Sequence, residues 1–330
     1  MHKKILIVIA GYYERFQINT IESAIKRARH PENISFAISY HEDHNIDTSH
    51  ISNKISRYVI PKGSKVGVAK PRSVLCQLKT DEDFVLLVDS HVIFMPDWDI
   101  EIIKDYEDRV SNAENKKIII SGSFGNSVPV SHLKYDVALE KYFNNNNFFN
   151  EKISSKIYEF YVDKGQYKSE EQVYPNYTEL LRTRMPGMTH HVNVPEPEEG
   201  YPEKTCVFSA GFAFFPADWF DKYKLSQNIF FAGDQEEAGI NIYTTGYDVW
   251  MPRYQYHIHM VDHKKASFQW IVFENKLWNA HIYIDVEKDL AGFNWFCNIL
   301  KNTEYDDNIK RERSIKDFFD FHKLDLSIYK

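Results

Sequence analysis

Short apolar runs alternate with stretches of helical spacing through the first third of the chain. Lys4 to Ala10 predicts a buried strand, and Gly11 lets the backbone turn at its end. Over Thr20 to Arg29, residues Ile21, Ala24, Ile25 and Ala28 share one side of a helix that Pro31 stops. Asn33 to Tyr40 and Ser56 to Ile60 predict two more strands, and Pro71 to Leu78 opens a helix with proline in its first turn. Phe84 to Val88 has the length and branching of a strand buried on both faces. A helix over Asp97 to Val110 and a strand over Lys117 to Phe124 follow. Strands and helices alternating in this order predict an α/β fold with a mainly parallel sheet and right-handed crossovers.

The pattern loosens from about Ser131 to Lys204, which reads as a lid or acceptor-binding insert. Regularity returns with a strand over Cys206 to Phe215 and a short helix over Pro216 to Lys222. A helix-compatible run, Ala238 to Tyr243, is ended by Gly246, and short strands follow at Tyr247 to Pro252 and Tyr254 to Met260. Beyond Lys264 the chain reads as helical and aromatic, closing on a charged helix from Arg311 to Leu324. The expected organisation is one domain over residues 1–265, interrupted by the insert at 131–204, with a helical extension over 266–330 packed on it.

Charge and cysteine content narrow the classes. A net charge of -7 argues against a surface that binds polyanions generically. The cysteines, Cys76, Cys206 and Cys297, are far apart and form no CxxC, so neither a disulfide framework nor a thiolate zinc site is expected. The apolar stretch after Met1 is too short for a signal peptide, and no run approaches a membrane span. A soluble, cytoplasmic protein without membrane contact is the expectation.

Chemistry enters where the strand ending at Val88 meets Asp89-Ser90-His91. Alternation along an extended chain points Asp89 and His91 the same way, at the strand edge where open α/β sheets bind ligands. The tripeptide alone also reads as a capped turn. Two further clusters, Asp234 to Glu237 and His257/His259, supply more carboxylates and imidazoles. Such a set suits Mn²⁺ or Mg²⁺ bridging a diphosphate. The chain has no P-loop, GxGxxG or HExxH pattern to supply another route to phosphate or metal chemistry.

Four segments then resemble a known family. Ile9-Ala10-Gly11-Tyr12-Tyr13-Glu14 is similar to an opening Ile-Ala-Ser-Tyr-Arg-Asp segment, and Gly67 to Arg72 keeps the spacing of a Gly…Ala-Arg element. Asp89-Ser90-His91 with Phe94, Trp98 and Asp99 resembles an Asp-Ser-His…Phe…Trp-Asp signature. Phe231 to Asp248 resembles a Phe-x-Gly-Glu-Glu…Thr-x-Gly-Tyr-Asp stretch. In this order and spacing they resemble the GT-A nucleotide-sugar glycosyltransferases, in particular the polypeptide N-acetylglucosaminyltransferases.

The resemblance implies a GT-A, Rossmann-like sheet flanked by helices and a metal-dependent transfer from a UDP-sugar to a hydroxyl, with retention of configuration. It implies donor contacts at Ala10, Gly11, Tyr12, Arg72, Asp89 and Ser90, with Asp89-Ser90-His91 in the DxD slot. It implies metal ligands Asp89, His91 and His257, with His259 as the alternative. Asp234 and Gln235 fall at the catalytic, acceptor-facing position. There the chain departs from the family, with Asp234-Gln235 for paired glutamates and Asn241 for an arginine. A protein hydroxyl is the first acceptor reading.

A hydroxymethylated base of phage DNA is the alternative acceptor, motivated by those departures and by basic clusters Lys62/Lys65/Lys70, Arg182/Arg184, Lys264/Lys265 and Lys310/Arg311/Arg313. A second alternative is a nucleotide-sugar-binding module without turnover. The sequence leaves donor sugar, linkage and oligomeric state open.

Overall fold

The computed structural model describes residues 3–122, 128–129, 204, 208–261 and 286–322, apart from 13, 15, 45, 232, 255 and 306. The insert at 131–203 and the segment 262–285 lie outside the described residues, and with them the expected lid, Arg182, Arg184, Lys264 and Lys265.

Seven strands form the main sheet: β1 (Ile5–Ala10), β2 (Ile34–His41), β3 (Ile55–Ile60), β4 (Phe84–Val88), β6 (Ile118–Ser121), β8 (Phe212–Pro216) and β9 (Asp248–Trp250), in the order β3-β2-β1-β4-β8-β6-β9. All neighbours are parallel except β8, which runs antiparallel to both β4 and β6. The mainly parallel sheet read from the sequence is present, with one reversed strand that alternation could not reveal.

Strand periodicity divides the core. Ile5, Ile7 and Ile9 pack with Phe36, Leu86 and Phe214 on one face, while Leu6 and Val8 pack with Val85, Leu87 and Phe215 on the other. The first face is covered by α1 (Gln17–Arg27) and α3 (Trp98–Asn112), which supply Ile21, Trp98 and Ile102. The second receives α2 (Ala69–Cys76), α4 (Trp219–Lys222) and α5 (Asp234–Thr244) through Leu75, Trp219 and Ile242.

A second sheet of order β5-β10-β7 joins β5 (Val92–Phe94), β7 (Val128–Pro129) and β10 (His257–Val261). β10 runs antiparallel to β5, with His259 opposite Val92 and His257 opposite Phe94. This pairing, between segments far apart in sequence, is what brings β10 to the Asp89 edge.

The carboxyl-terminal helices α6 (Val286–Asn302) and α7 (Ile315–Phe321) add a third apolar cluster. Phe293, Phe296, Leu300 and Phe318 bury themselves against Ala69, Ile229, Ile240 and Tyr243. The last helix begins at Ile315 rather than Arg311 because residues 312 and 313 first bond the chain's interior: both amides donate to the Thr244 carbonyl, at 2.8 and 3.1 Å. Ser314 then starts the helix through a capping box with Asp317. Among the described residues, no helix is long and apolar enough to cross a membrane.

Of the strand expected over Cys206 to Phe215, β8 covers Phe212 onward. Ser209 to Gly211 instead turn, with the Phe212 amide donating to the Ser209 carbonyl at 3.1 Å, and Cys206 lies outside the described residues. The turn carries Gly211 against Asp89.

Candidate functional site

The site forms at the carboxyl edge of the two central strands. Ile9 pairs with Val88, so Ala10 and Gly11 leave β1 beside Asp89 leaving β4. The Asp89 amide donates to the Gly211 carbonyl at 3.4 Å, and a Cβ on Gly211 would stand 2.8 Å from Asp89 Oδ2. Only glycine leaves that carboxylate its place.

Thr20 of α1 holds the turn after Asp89. Its Oγ1 donates toward the carbonyls of Ser90 (3.0 Å) and Val92 (3.1 Å) and accepts from the Val92 amide at 3.0 Å. His91 is thereby fixed facing β10. Its Nε2 lies 2.9 Å from His259 Nε2, and His259 Nε2 lies 3.3 Å from Asp89 Oδ2. One ligand atom from each of Asp89, His91 and His259 lies within 4.8 Å of the others. Two ligands at about 2.1 Å from a single cation and 90° apart stand about 3.0 Å from each other. The two shorter separations match that edge, so this donor set fits one divalent ion.

His257, the first choice from the sequence, lies outside this group. Its partner across the ladder is Phe94, two residues beyond the pair that holds His259. Its ring stacks on Phe212 at 5.0 Å, and burial with the neighbouring His259 pushes its pKa down to about 3. The register of β10 therefore presents His259, the alternative, to Asp89 and His91.

Electrostatics hold the group ready. Burial opposes ionisation of Asp89, yet the hydrogen bond from His259 and the charges of His259, His91 and Arg72 hold its carboxyl below the usual range. Burial likewise opposes charge on His91, but the Glu14 carboxylate, 3.0 Å from Nδ1, outweighs it and raises the pKa. For His259 burial prevails over the bond to Asp89, and the pKa is lowered.

Arg72 of α2 spans the site. Its Nη1 donates to Asp234 Oδ2 at 2.8 Å and its Nη2 to Asp89 Oδ1 at 3.4 Å, with the arginine side chain 13% exposed. This is an inward fork between two carboxylates rather than a surface ion pair. Its helix reaches the site because Gly67 packs directly on the backbone of Phe230, where a Cβ would meet the carbonyl oxygen at 1.9 Å. Asp234 opens α5, and half-buried Gln235 follows it. A small cleft beside this pair is lined by Ala69, Arg72, Ala210, Asp234 and Glu237.

The remaining expected donor residues fall on the same edge. Ala10 is half-buried at the end of β1, and the Gly11 amide donates to the Ser39 carbonyl at 3.2 Å. Tyr12 stands edge-on to His41 with ring centroids 4.6 Å apart. Ser90 is buried, its hydroxyl 3.5 Å from His91 Nδ1. Sequence reasoning gave no role to Thr20 or Glu14, of which only Glu14 carried a signal, at the aspartate position of the opening segment. Ser209-Ala210-Gly211 reads from the sequence as allowing close backbone approach, without naming Asp89 as what approaches.

Of the basic cluster near the carboxyl terminus, Lys310 is exposed while the two arginines turn inward. Arg311 donates to Asn241 Oδ1 and Thr244 Oγ1, both at 2.9 Å, and Arg313 donates to Asp248 at 2.7 Å. Those guanidinium groups brace α5 and β9, and the DNA reading draws no support from them.

Comparison with curated protein sequences finds no match. Among solved structures, TarS 1-349 of S. aureus is 14% identical with a TM-score of 0.42, covering 78% of this chain and 60% of its own. GalNAc-T7, solved with UDP, GalNAc and Mn²⁺, is 11% identical with a TM-score of 0.46, covering 99% and 56%. The mannosyltransferase PcManGT of Pyrobaculum calidifontis, solved with GDP-Man and Mn²⁺, is 9% identical with a TM-score of 0.40, covering 77% and 57%. This chain thus spans about 60% of the length of the first of these, and what each of them binds is its own property. The profile of the family described as Glycosyltransferase (GlcNAc) matches residues 44–314, most of the chain. The helix-flanked, mainly parallel sheet that the sequence predicts is present, and the chain belongs to that glycosyltransferase family.

Proposed function

We propose that this enzyme transfers a sugar from a UDP-sugar to a hydroxyl acceptor, retaining configuration, with a divalent cation held by Asp89, His91 and His259 in the DxD slot. The observation that carries the reading is the convergence of those three side chains at the carboxyl edge of β4. When bound, the cation would neutralise the diphosphate as the nucleotide leaves, the Lewis-acid contribution common to such sites. Mn²⁺ suits a mixed nitrogen and oxygen donor set better than Mg²⁺, which prefers oxygen alone.

The chain's own groups provide the rest. Ala10, Gly11 and Tyr12 border the nucleoside at the end of β1. Arg72 holds positive charge beside Asp89 and keeps Asp234 in place. Asp234 and Gln235 face the transferred sugar and the acceptor, and a protein hydroxyl is the acceptor of choice. Departure from paired glutamates at this position changes the charge that an acceptor meets.

Release of UDP from UDP-N-acetylglucosamine, with and without Mn²⁺, tests the reading. Metal-stimulated release is expected in the wild type and its loss in folded Asp89→Asn and His259→Ala variants. Full release in chelator-treated protein, or wild-type behaviour of His259→Ala, would overturn it. Product anomers read by NMR check retention, and mass measurement of protein and hydroxymethylated-DNA substrates distinguishes the acceptors.

A further inference from the structure

We propose that Glu14 is the positioning residue of the cation site: it fixes the ring of His91 and the tautomer in which Nε2 is bare and able to ligate. The inference rests on the metal reading above.

Glu14 is buried, and both its oxygens are engaged. Oε2 lies 3.0 Å from His91 Nδ1, and Oε1 accepts the Phe16 amide at 2.9 Å. The carboxylate is therefore held from its own side of the site before it holds the imidazole. The Glu14 carbonyl also lies 3.3 Å from His44 Nε2, which ties the same residue to the loop after β2.

An ionised carboxylate only accepts, so the proton between it and His91 belongs to Nδ1. That leaves the Nε2 lone pair directed at His259 Nε2, 2.9 Å away, along the edge shared with Asp89. Ser90 Oγ, at 3.5 Å from Nδ1, is the weaker neighbour. A carboxylate behind a ligating histidine orients the ring and raises its basicity, and loss of such a partner typically costs 10- to 100-fold in metal affinity. Glu14 lies in the loop after β1 while His91 follows β4, so one contact links the loop bordering the nucleoside to the cation site.

Glu14→Gln is the sharper test because it preserves shape. The two contacts use different carboxylate oxygens, and in glutamine one of those positions becomes an NH2 donor, so either the loop or the imidazole loses its acceptor. Binding of Mn²⁺ alone, read from the free-ion EPR signal of the full chain, is expected to weaken about 10-fold in Glu14→Gln and up to about 100-fold in Glu14→Ala. Long-range ¹⁵N–¹H spectra of the metal-free wild type should show His91 protonated at Nδ1 and bare at Nε2, and the proton should redistribute in Glu14→Gln.

A folded Glu14→Gln variant with wild-type Mn²⁺ affinity, or a wild-type ring protonated at Nε2 alone, overturns the inference and leaves the metal reading standing. Absence of Mn²⁺ binding in the wild type, or its persistence unchanged in His259→Ala, overturns the metal reading and this inference with it.

Discussion

Gly211→Ala is the most discriminating perturbation of this site, because it moves one oxygen and little else. A Cβ there would stand 2.8 Å from Asp89 Oδ2 and 3.3 Å from its carboxyl carbon, whereas ordinary contact begins at 3.4 Å. The carboxylate must therefore retreat by about 0.6 Å, the difference between 2.8 and 3.4 Å. Gly211 is not among the glycines with positive φ, so alanine meets no backbone strain. Asp89 is 30% exposed at its side chain and has room to swing, which holds the expected stability cost below about 1 kcal/mol. Metal–ligand distances in well-formed sites fall within about 0.2 Å of their ideal values. A shift three times larger is expected to weaken Mn²⁺ binding at least about 10-fold, or about 1.4 kcal/mol, while thermal unfolding hardly changes. Titrating UDP release against Mn²⁺, alongside a melting curve, reads both quantities. A folded Gly211→Ala enzyme with the wild-type Mn²⁺ requirement would refute Asp89 as a ligand whose position matters.

Three other outcomes follow from the same geometry. Arg72→Lys places a point charge where a fork spans two carboxylates; sugar transfer is expected to fall more than 10-fold while the fold persists, because an ammonium cannot reproduce both bonds. Gly67→Ala drives a Cβ into the Phe230 carbonyl, which is backbone and cannot swing aside; a loss of several kcal/mol in denaturant unfolding is expected. Burial pushes the Glu237 carboxyl up to about 8 from its ordinary 4.5, so the native state keeps a proton that the unfolded chain has released. Its contribution is full below pH 4.5 and is lost as pH rises towards about 8, and Glu237→Gln should remove that slope from melting curves recorded across the window.

Much of this architecture was legible because local signals and tertiary roles agree. Phe84–Val88 is apolar at every position and every one of its residues is buried, so the strand and its Asp-Ser-His ending coincide with what the sequence indicates. Lys4 to Ala10 reads as cleanly for the same reason. What could not be read depends on register between distant segments. Both His257 and His259 lie on one strand, and the pairing of β10 with β5, not any property of the histidines, sets which of them stands beside Asp89 and His91. Arg72 was expected to contact the donor, but its partner Asp234 lies 162 residues away and emerges only when α2 and α5 meet. The reversal of β8 was hidden too, since a buried apolar strand reads the same in either direction.

That reversed strand has a consequence for how the molecule is made. β8 lies inside the sheet between β4 and β6, yet its first residue is Phe212, nearly two thirds of the way along the chain. While the ribosome extends the chain through the long insert, β3, β2, β1 and β4 can already pair, leaving Phe84–Val88 as an open, wholly apolar edge. At the usual pace of about 5–20 residues per second, the interval between Val88 and Phe212 lasts several seconds or more. The nascent chain therefore carries its stickiest edge longest, and pulse-labelled ribosome complexes halted within the insert are expected to bind chaperones more than complexes halted after residue 216.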